Sequence, residues 1–183
     1  MNLLITGFLP FLNYPSNPSE ELVKILQKEG QHGLILPVSY KGCQESLTKE
    51  IQSFHPDFIL SFGYANNREF ISLEKKAYNL LDSSFPDENG RVIRHQKIVE
   101  GGKKALETPL SLLAIQKSLS SYHPEISIDP GRYCCNEVYY LDLASGVPSL
   151  FIHLPHEKKI SLQEEISFAH ELIKEITKVY SQS

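Results

Sequence analysis

No dense run of Lys or Arg occurs in the 183 residues, and 18 basic against 22 acidic side chains leave a net charge of −4. Nucleic-acid and membrane-surface roles therefore have little electrostatic support, because both draw on clustered positive charge. Long apolar runs are missing too. The start, Met1-Asn2-Leu3-Leu4-Ile5, lacks a basic leader and is soon interrupted by Gly7 and Pro10, and no later segment approaches a membrane span. Cysteine is scarce: Cys43, Cys134 and Cys135 are odd in number and two are adjacent, unlike a secreted disulfide framework. A reducing cytoplasm is the expected setting. Repeats and low-complexity linkers are also lacking, and this length suits one domain, 1–183, with a core that needs no disulfide or metal staple.

What is present alternates. Short apolar runs at 3–6, 34–38, 58–63, 126–128 and 149–153 read as strands, the first stopped by Gly7. Between them, helical spacing predicts helices from Asn17-Pro18-Ser19-Glu20 onward, over 43–54, over 109–119, from Asn136 onward, and over 161–180, where Ser161 and Glu164 form a possible capping box. Residues 69–79 read as one extended run with Ile71, Leu73 and Ala77 on the core side. Residues 82–94 read as a turn-rich loop or small hairpin, and 100–107 take no assigned shape. Alternating strands and helices predict an α/β fold: three layers, α/β/α, around a mostly parallel twisted sheet. Ligands of such sheets gather at the carboxyl ends of the strands, so the loops after Gly7 and Gly63 are candidate site walls.

The chemistry centres on Gly131-Arg132-Tyr133-Cys134-Cys135-Asn136, a turn leading into a helix. A cysteine at the positive end of a helix is expected to have a lowered pKa and to become a nucleophile, whereas buried cysteine is otherwise an inert small apolar residue. His153 ends a strand, one helix and one strand after Cys135, so a crossover would return it beside the thiol. A thiol, an imidazole, a carboxylate to orient that imidazole and donors for an oxyanion make a cysteine hydrolase, and Glu74 on a neighbouring strand is the candidate carboxylate. The plain alternative for Glu74 is a solvated group paired with Lys75 and Lys76. Phe8 and Phe11 either cover the sheet edge or line an apolar pocket, with Phe85 and Tyr133 as further candidates for its wall. A zinc site from Cys134, Cys135, His153 and His156 is the remaining reading, but adjacent cysteines rarely give two tetrahedral ligands; no metal or organic cofactor is expected.

In ordered blocks, the chain resembles the pyroglutamyl peptidase I (pyrrolidone carboxyl peptidase) family of cysteine peptidases. Gly7-Phe8-Leu9-Pro10-Phe11 and Asn17-Pro18-Ser19 are similar to the opening blocks of that family, Leu73-Glu74 with Ala77 and Asn79 to its Glu-Arg-x-Ala-x-Asn block. Gly131-x-Tyr133-x-Cys135-Asn136 is similar to its nucleophile turn, and Phe151-Ile152-His153-Leu154-Pro155 to its Phe-Ile-His-x-Pro. The resemblance covers almost the whole chain. It implies removal of an N-terminal pyroglutamyl residue from peptides, with Cys135 as nucleophile, His153 as general acid and base and Glu74 as its partner. It further implies that Phe8 and Phe11 flank the lactam ring, that Asn17 holds the loop or the ligand, and that the protein is a homo-oligomer, a tetramer or dimer. Three stretches depart from the pattern. Tyr64 stands where the family has Gln, Ser83-Ser84 where it has Ala-Arg, and Leu12-Asn13 where it has Gly-Gly. A cysteine hydrolase with altered acyl specificity, or a silent binding module on the same fold, are the alternatives these departures keep open.

Overall fold

In this computed structural model, which describes residues 1–12 and 14–181, the apolar runs become the strands of one six-stranded sheet. In chain order the elements are β1 (Leu3–Phe8), α1 (Pro18–Lys28), β2 (His32–Leu36), α2 (Tyr40–Phe54), β3 (Phe58–Tyr64), β4 (Ser72–Glu74), β5 (Lys76–Tyr78), β6 (Ala105–Glu107), α3 (Leu112–Ser118), β7 (Glu125–Ser127), α4 (Cys134–Ala144), β8 (Ser149–Leu154) and α5 (Leu162–Ser181). The sheet order is β2-β1-β3-β8-β4-β7, and β5 pairs with β6 as a separate hairpin. All neighbouring pairs in the large sheet are parallel except β4 against β8. Strands buried on both faces explain why they read as continuous apolar runs rather than as alternating ones.

Two cores hold the layers together. On one face Leu22, Val23 and Leu26 of α1, Leu112 and Ile115 of α3, and Phe168, Leu172 and Ile176 of α5 pack on Ile5, Leu60 and Ile152 of the sheet. On the other, Cys43 and Leu47 of α2 meet Val138 and Tyr139 of α4, with Phe8 and Phe151 beneath them. Each such fully buried side chain contributes about 1.5–3 kcal/mol relative to exposure. The helix α4 is buried on nearly every side, between sheet, α2 and hairpin, and its polar groups are answered internally. Asn136 exchanges hydrogen bonds with the backbone of Tyr78 and Leu80, and the hydroxyls of Tyr139 and Tyr140 donate to Glu74 O and Lys103 O.

Several boundaries differ from the sequence reading. β1 runs through Gly7 to Phe8, because Gly7 marks a close approach and not a stop: a Cβ there would lie 2.4 Å from Ser19 O of α1. Helix α4 begins at Cys134, two residues earlier than expected. The run 69–79 is not one strand; it breaks at Lys75 into β4 of the sheet and β5 of the hairpin, and β6 gives 100–107 the shape the sequence did not assign. The capping box at α5 is reciprocal, with Ser161 N donating to Glu164 Oε2 and Glu164 N to Ser161 Oγ. Of the Leu12-Asn13 departure, Asn13 lies outside the described residues.

Two of the buried carboxyl groups, Asp142 and Glu165, lie away from the cavity. Burial pushes Asp142 up to about 7, against a hydrogen bond from Ser61, and burial together with the neighbouring Glu21 pushes Glu165 up to about 8. Asp142 Oδ1 and Glu165 Oε1 have no hydrogen-bond partner. The folded state therefore keeps these protons to higher pH than the unfolded chain, where such groups titrate near about 4. Stability should be greatest at the acid end of this window and fall as pH rises from about 4 towards 8. Glu165→Gln should flatten the upper part of that decline and add about 3 kcal/mol at pH 8.5, a Tm rise of about 6–12 °C, measured by thermal unfolding across pH.

Candidate active site

The carboxyl ends of β1, β2, β3 and β8 meet around a cavity of about 280 Å³. Phe8 comes to it from the end of β1, Phe11 and Asn17 from the loop that follows, Tyr64 and Ala65 from the end of β3, and Tyr133, Cys134 and Cys135 from the start of α4, with His153 from β8. Phe85 stands at the rim, 64% exposed. All seven residues expected to bind substrate thus line one cavity together with Cys135 and His153. Sequence reasoning missed Val38, Asn67 and Pro130, which complete the wall. Val38 follows a strand's carboxyl end, the same signal that selected Gly7 and Gly63, and could have been found by it.

Gly63 brings thiol and imidazole together. It is paired in register with His153 across β3 and β8, and a Cβ built on it would lie 2.9 Å from Cys135 Sγ and 2.8 Å from the Phe151 ring. Only a residue without a side chain lets α4 lower its thiol onto the sheet at this point. His153, 4% exposed, directs Nδ1 to Glu74 Oε1 at 2.8 Å. The antiparallel step at β4 produces that contact by pairing Ser72 with His153 and Glu74 with Phe151. Glu74 is fully buried and does not pair with Lys75 or Lys76; Arg68 Nη2 holds the same Oε1 at 3.0 Å. Arg68 Nη2 also donates to Ser127 Oγ and Asp129 O, fastening the carboxylate to the turn that leads into α4. The place of Arg68 beside Glu74 has no signal in local spacing.

No Lys or Arg lines the cavity among the described residues. Arg132 is paired with Asp129 and stacked 3.8 Å over the Tyr78 ring, and Arg91 stands near Glu137. None takes the position where the resemblance puts an arginine and this chain has Ser84. The Tyr64 ring meets Tyr14 edge-on at 5.5 Å, so the glutamine position is occupied by an aromatic wall. Asn17 caps α1 by accepting from Ser19 N and donates to Leu9 O, which closes the ring-bearing loop.

The thiol differs from the sequence expectation. Burial, with Cys134 and Glu74 close by, pushes Cys135 far above the ordinary thiol range, and its own backbone N–H pulls only weakly the other way. Desolvation thus opposes the helix end here and favours the thiol form. The first helical bond of α4 runs from Glu137 N to Tyr133 O and no side chain caps the helix, which leaves the N–H groups before Glu137 without helical acceptors. The zinc foursome does not assemble: among the described residues, Cys135, His153 and His156 belong to no group of metal-ligating atoms.

A neutral thiol at a helix start, with an imidazole fixed beside it by a buried carboxylate and free N–H donors next to the sulfur, defines a thiol hydrolase. Comparison with known proteins narrows the class: the family model of pyroglutamyl peptidase matches residues 1–170, and the chain belongs to that family of cysteine-type omega peptidases. It is 36% identical over 166 residues to the pyrrolidone-carboxylate peptidase of Coprothermobacter proteolyticus, covering 84% of this chain and 80% of that one. The enzyme of the same name from Pyrococcus furiosus is 36% identical over 172 residues, 85% and 81% of the two chains. The crystal structure of pyrrolidone carboxyl peptidase from Fervidobacterium islandicum superposes with a TM-score of 0.92 at 32% identity, covering 96% of this chain and 98% of that one.

Gly63→Ala should lower kcat/KM at least about tenfold while leaving the fold intact by circular dichroism, because the added methyl displaces the sulfur from His153. Alkylation of Cys135 by iodoacetamide should be slow at pH 7 and rise about tenfold per pH unit through pH 9, following the thiolate fraction. A fast plateau near neutrality would show instead that the resting group is a thiolate.

Proposed function

We infer that the protein is a cysteine peptidase that removes an N-terminal pyroglutamyl residue from peptides, with Cys135 as nucleophile, His153 as general acid and base, and Glu74 as the group that orients His153. The observation that carries this reading is the Gly63 contact, which puts Cys135 Sγ over the residue paired with a His153 already held by Glu74. His153 takes the thiol proton as sulfur attacks the carbonyl of the blocked residue, and the open N–H groups at the start of α4 receive the oxyanion. The imidazolium next protonates the leaving amine, and water, activated by His153, hydrolyses the thioester. A thiol whose proton is tightly held makes this base indispensable.

A lactam has no charged amino group, so it fits a wall of rings with few polar partners. In this reading Phe8 and Phe11 flank the ring, Tyr64, Phe85, Tyr133 and Cys134 close the pocket, and Asn17 fixes the loop that carries the first two. Arg68 positions Glu74. The chain acts as one domain, 1–183, in a reducing cytoplasm and assembles as a homo-oligomer, for which exposed Phe70, Leu113 and Ile128 offer apolar surface. No helix among the described residues is long and apolar enough to cross a membrane.

Hydrolysis of a pyroglutamyl-arylamide by the reduced protein tests this directly. Cys135→Ala should abolish it, Cys134→Ala should leave the nucleophile in place, and Glu74→Gln should lower kcat by roughly 10²–10⁴. Arg68→Ala should lower kcat by about 10–100-fold with KM little changed, and Arg68→Lys should recover part of the loss. A second reading, altered acyl specificity, is favoured by one feature: the ring of Tyr64 and the cation-free wall leave no side-chain amide or guanidinium where the family has Gln and Arg. A screen of N-blocked amino-acid arylamides separates the two. A protein silent throughout and resistant to alkylation at Cys135 even at pH 9 would be a binding module.

A further inference from the structure

Cys134, beside the nucleophile in the cavity wall, also joins a second cluster. Its sulfur, that of Cys43 from α2 and a carboxylate oxygen of Glu137, one turn along α4, lie within 4.8 Å of one another. All three side chains are buried. Cys43 Sγ is 3.3 Å from Glu137 Oε2 and 3.4 Å from Tyr40 O. Buried thiols alone are ordinary packing groups, but two of them converging on a buried carboxyl in an apolar cluster are not.

We propose that Cys43, Cys134 and Glu137 bind a thiophilic divalent cation of the zinc and cadmium class. The donor set suits such an ion: two sulfurs at about 2.3 Å and one oxygen at about 2.1 Å in a tetrahedron stand about 3.5–3.8 Å apart. The three donors already approach that spacing, and small side-chain rotations close the remainder. Cys134 also lines the cavity, which gives the ion a route inward and gives a water the fourth position. The Tyr40 hydroxyl, near Cys134 and Glu137, is buried without a well-formed hydrogen bond and stands ready for a metal-bound water. Arg91 offsets part of the negative charge that two thiolates and a carboxylate bring to a dication. Burial pushes Glu137 up to about 7, and the hydrogen bond with Cys134, followed by burial, raises Cys43, so binding releases protons that the empty site retains. This assignment leaves Cys135 and His153 outside the ligand set and does not depend on the peptidase reading.

Cadmium ion alone, titrated into reduced, metal-free Cys135→Ala protein, tests the site without competition from the third thiol. The thiolate-to-cadmium charge-transfer band in the ultraviolet should saturate at one equivalent, with a rise in Tm that grows with ion concentration. Adding Cys43→Ser should weaken binding at least tenfold, and adding Glu137→Gln about tenfold; folding of each variant is checked by circular dichroism. Zinc should displace cadmium with loss of the band. Absence of a saturating band, or unchanged affinity in both added variants, overturns the proposal. So does a site that requires Cys135, recognised by a band in the unmodified protein that Cys135→Ala removes.

Discussion

Everything near the cavity depends on one buried carboxylate. Glu74 has no access to water, and an uncompensated charge there would cost several kcal/mol. Its Oε1 is shared by His153 and Arg68, while Oε2 has no partner at all. Arg68 in turn reaches Ser127 and Asp129, so the carboxylate, the imidazole, the edge of the sheet and the approach to α4 form one connected arrangement. Local bonding would be easier to satisfy with a neutral residue. A charged group kept in such a place fixes the direction of an imidazole, and the reversal of β4 exists in the structure at the point where that direction is set.

The elements with strong local signals were legible. The apolar runs of β3 and β8, the periodicity of α1 and α5 and the Ser161-Glu164 box each express a local preference that packing did not override. What could not be read was tertiary. Residues 69–79 carry one apolar face, but whether the chain continues straight at Lys75 or leaves the sheet depends on α4, whose Asn136 captures Tyr78. Gly7 and Gly63 looked like chain breaks because glycine is punctuation locally; their real constraint is the approach of another element, Ser19 in one case and Cys135 in the other.

The site followed the same division. Cys135, His153 and the aromatic loop were found from strand ends and a helix start, which are local, together with ordered blocks similar to a known family. Arg68 and Val38 were not, since one acts through a partner six residues away across a turn and the other through a wall that only the folded sheet creates. For the ionisation of Cys135, the helix end and the burial pull in opposite directions. A helix end is visible in sequence, but the desolvation of the sulfur and its nearness to Cys134 and Glu74 are properties of packing.

The loop between β1 and α1 is tied at its own base. Phe8 N donates to Ser19 Oγ, and Asn17 Nδ2 donates to Leu9 O, so the two ends of the segment are pinned to each other before its tip is reached. A wall built as a noose keeps its two rings in place whatever residues form the far bend. Leu12, at the bend, sits at a φ of 53° that favours glycine, yet the tie at the base does not involve it, whereas a change at Asn17 or Ser19 would slacken the whole loop without touching either ring. For anyone reshaping this pocket, the bend is where length and chemistry can be varied, and the knot is what must be left alone.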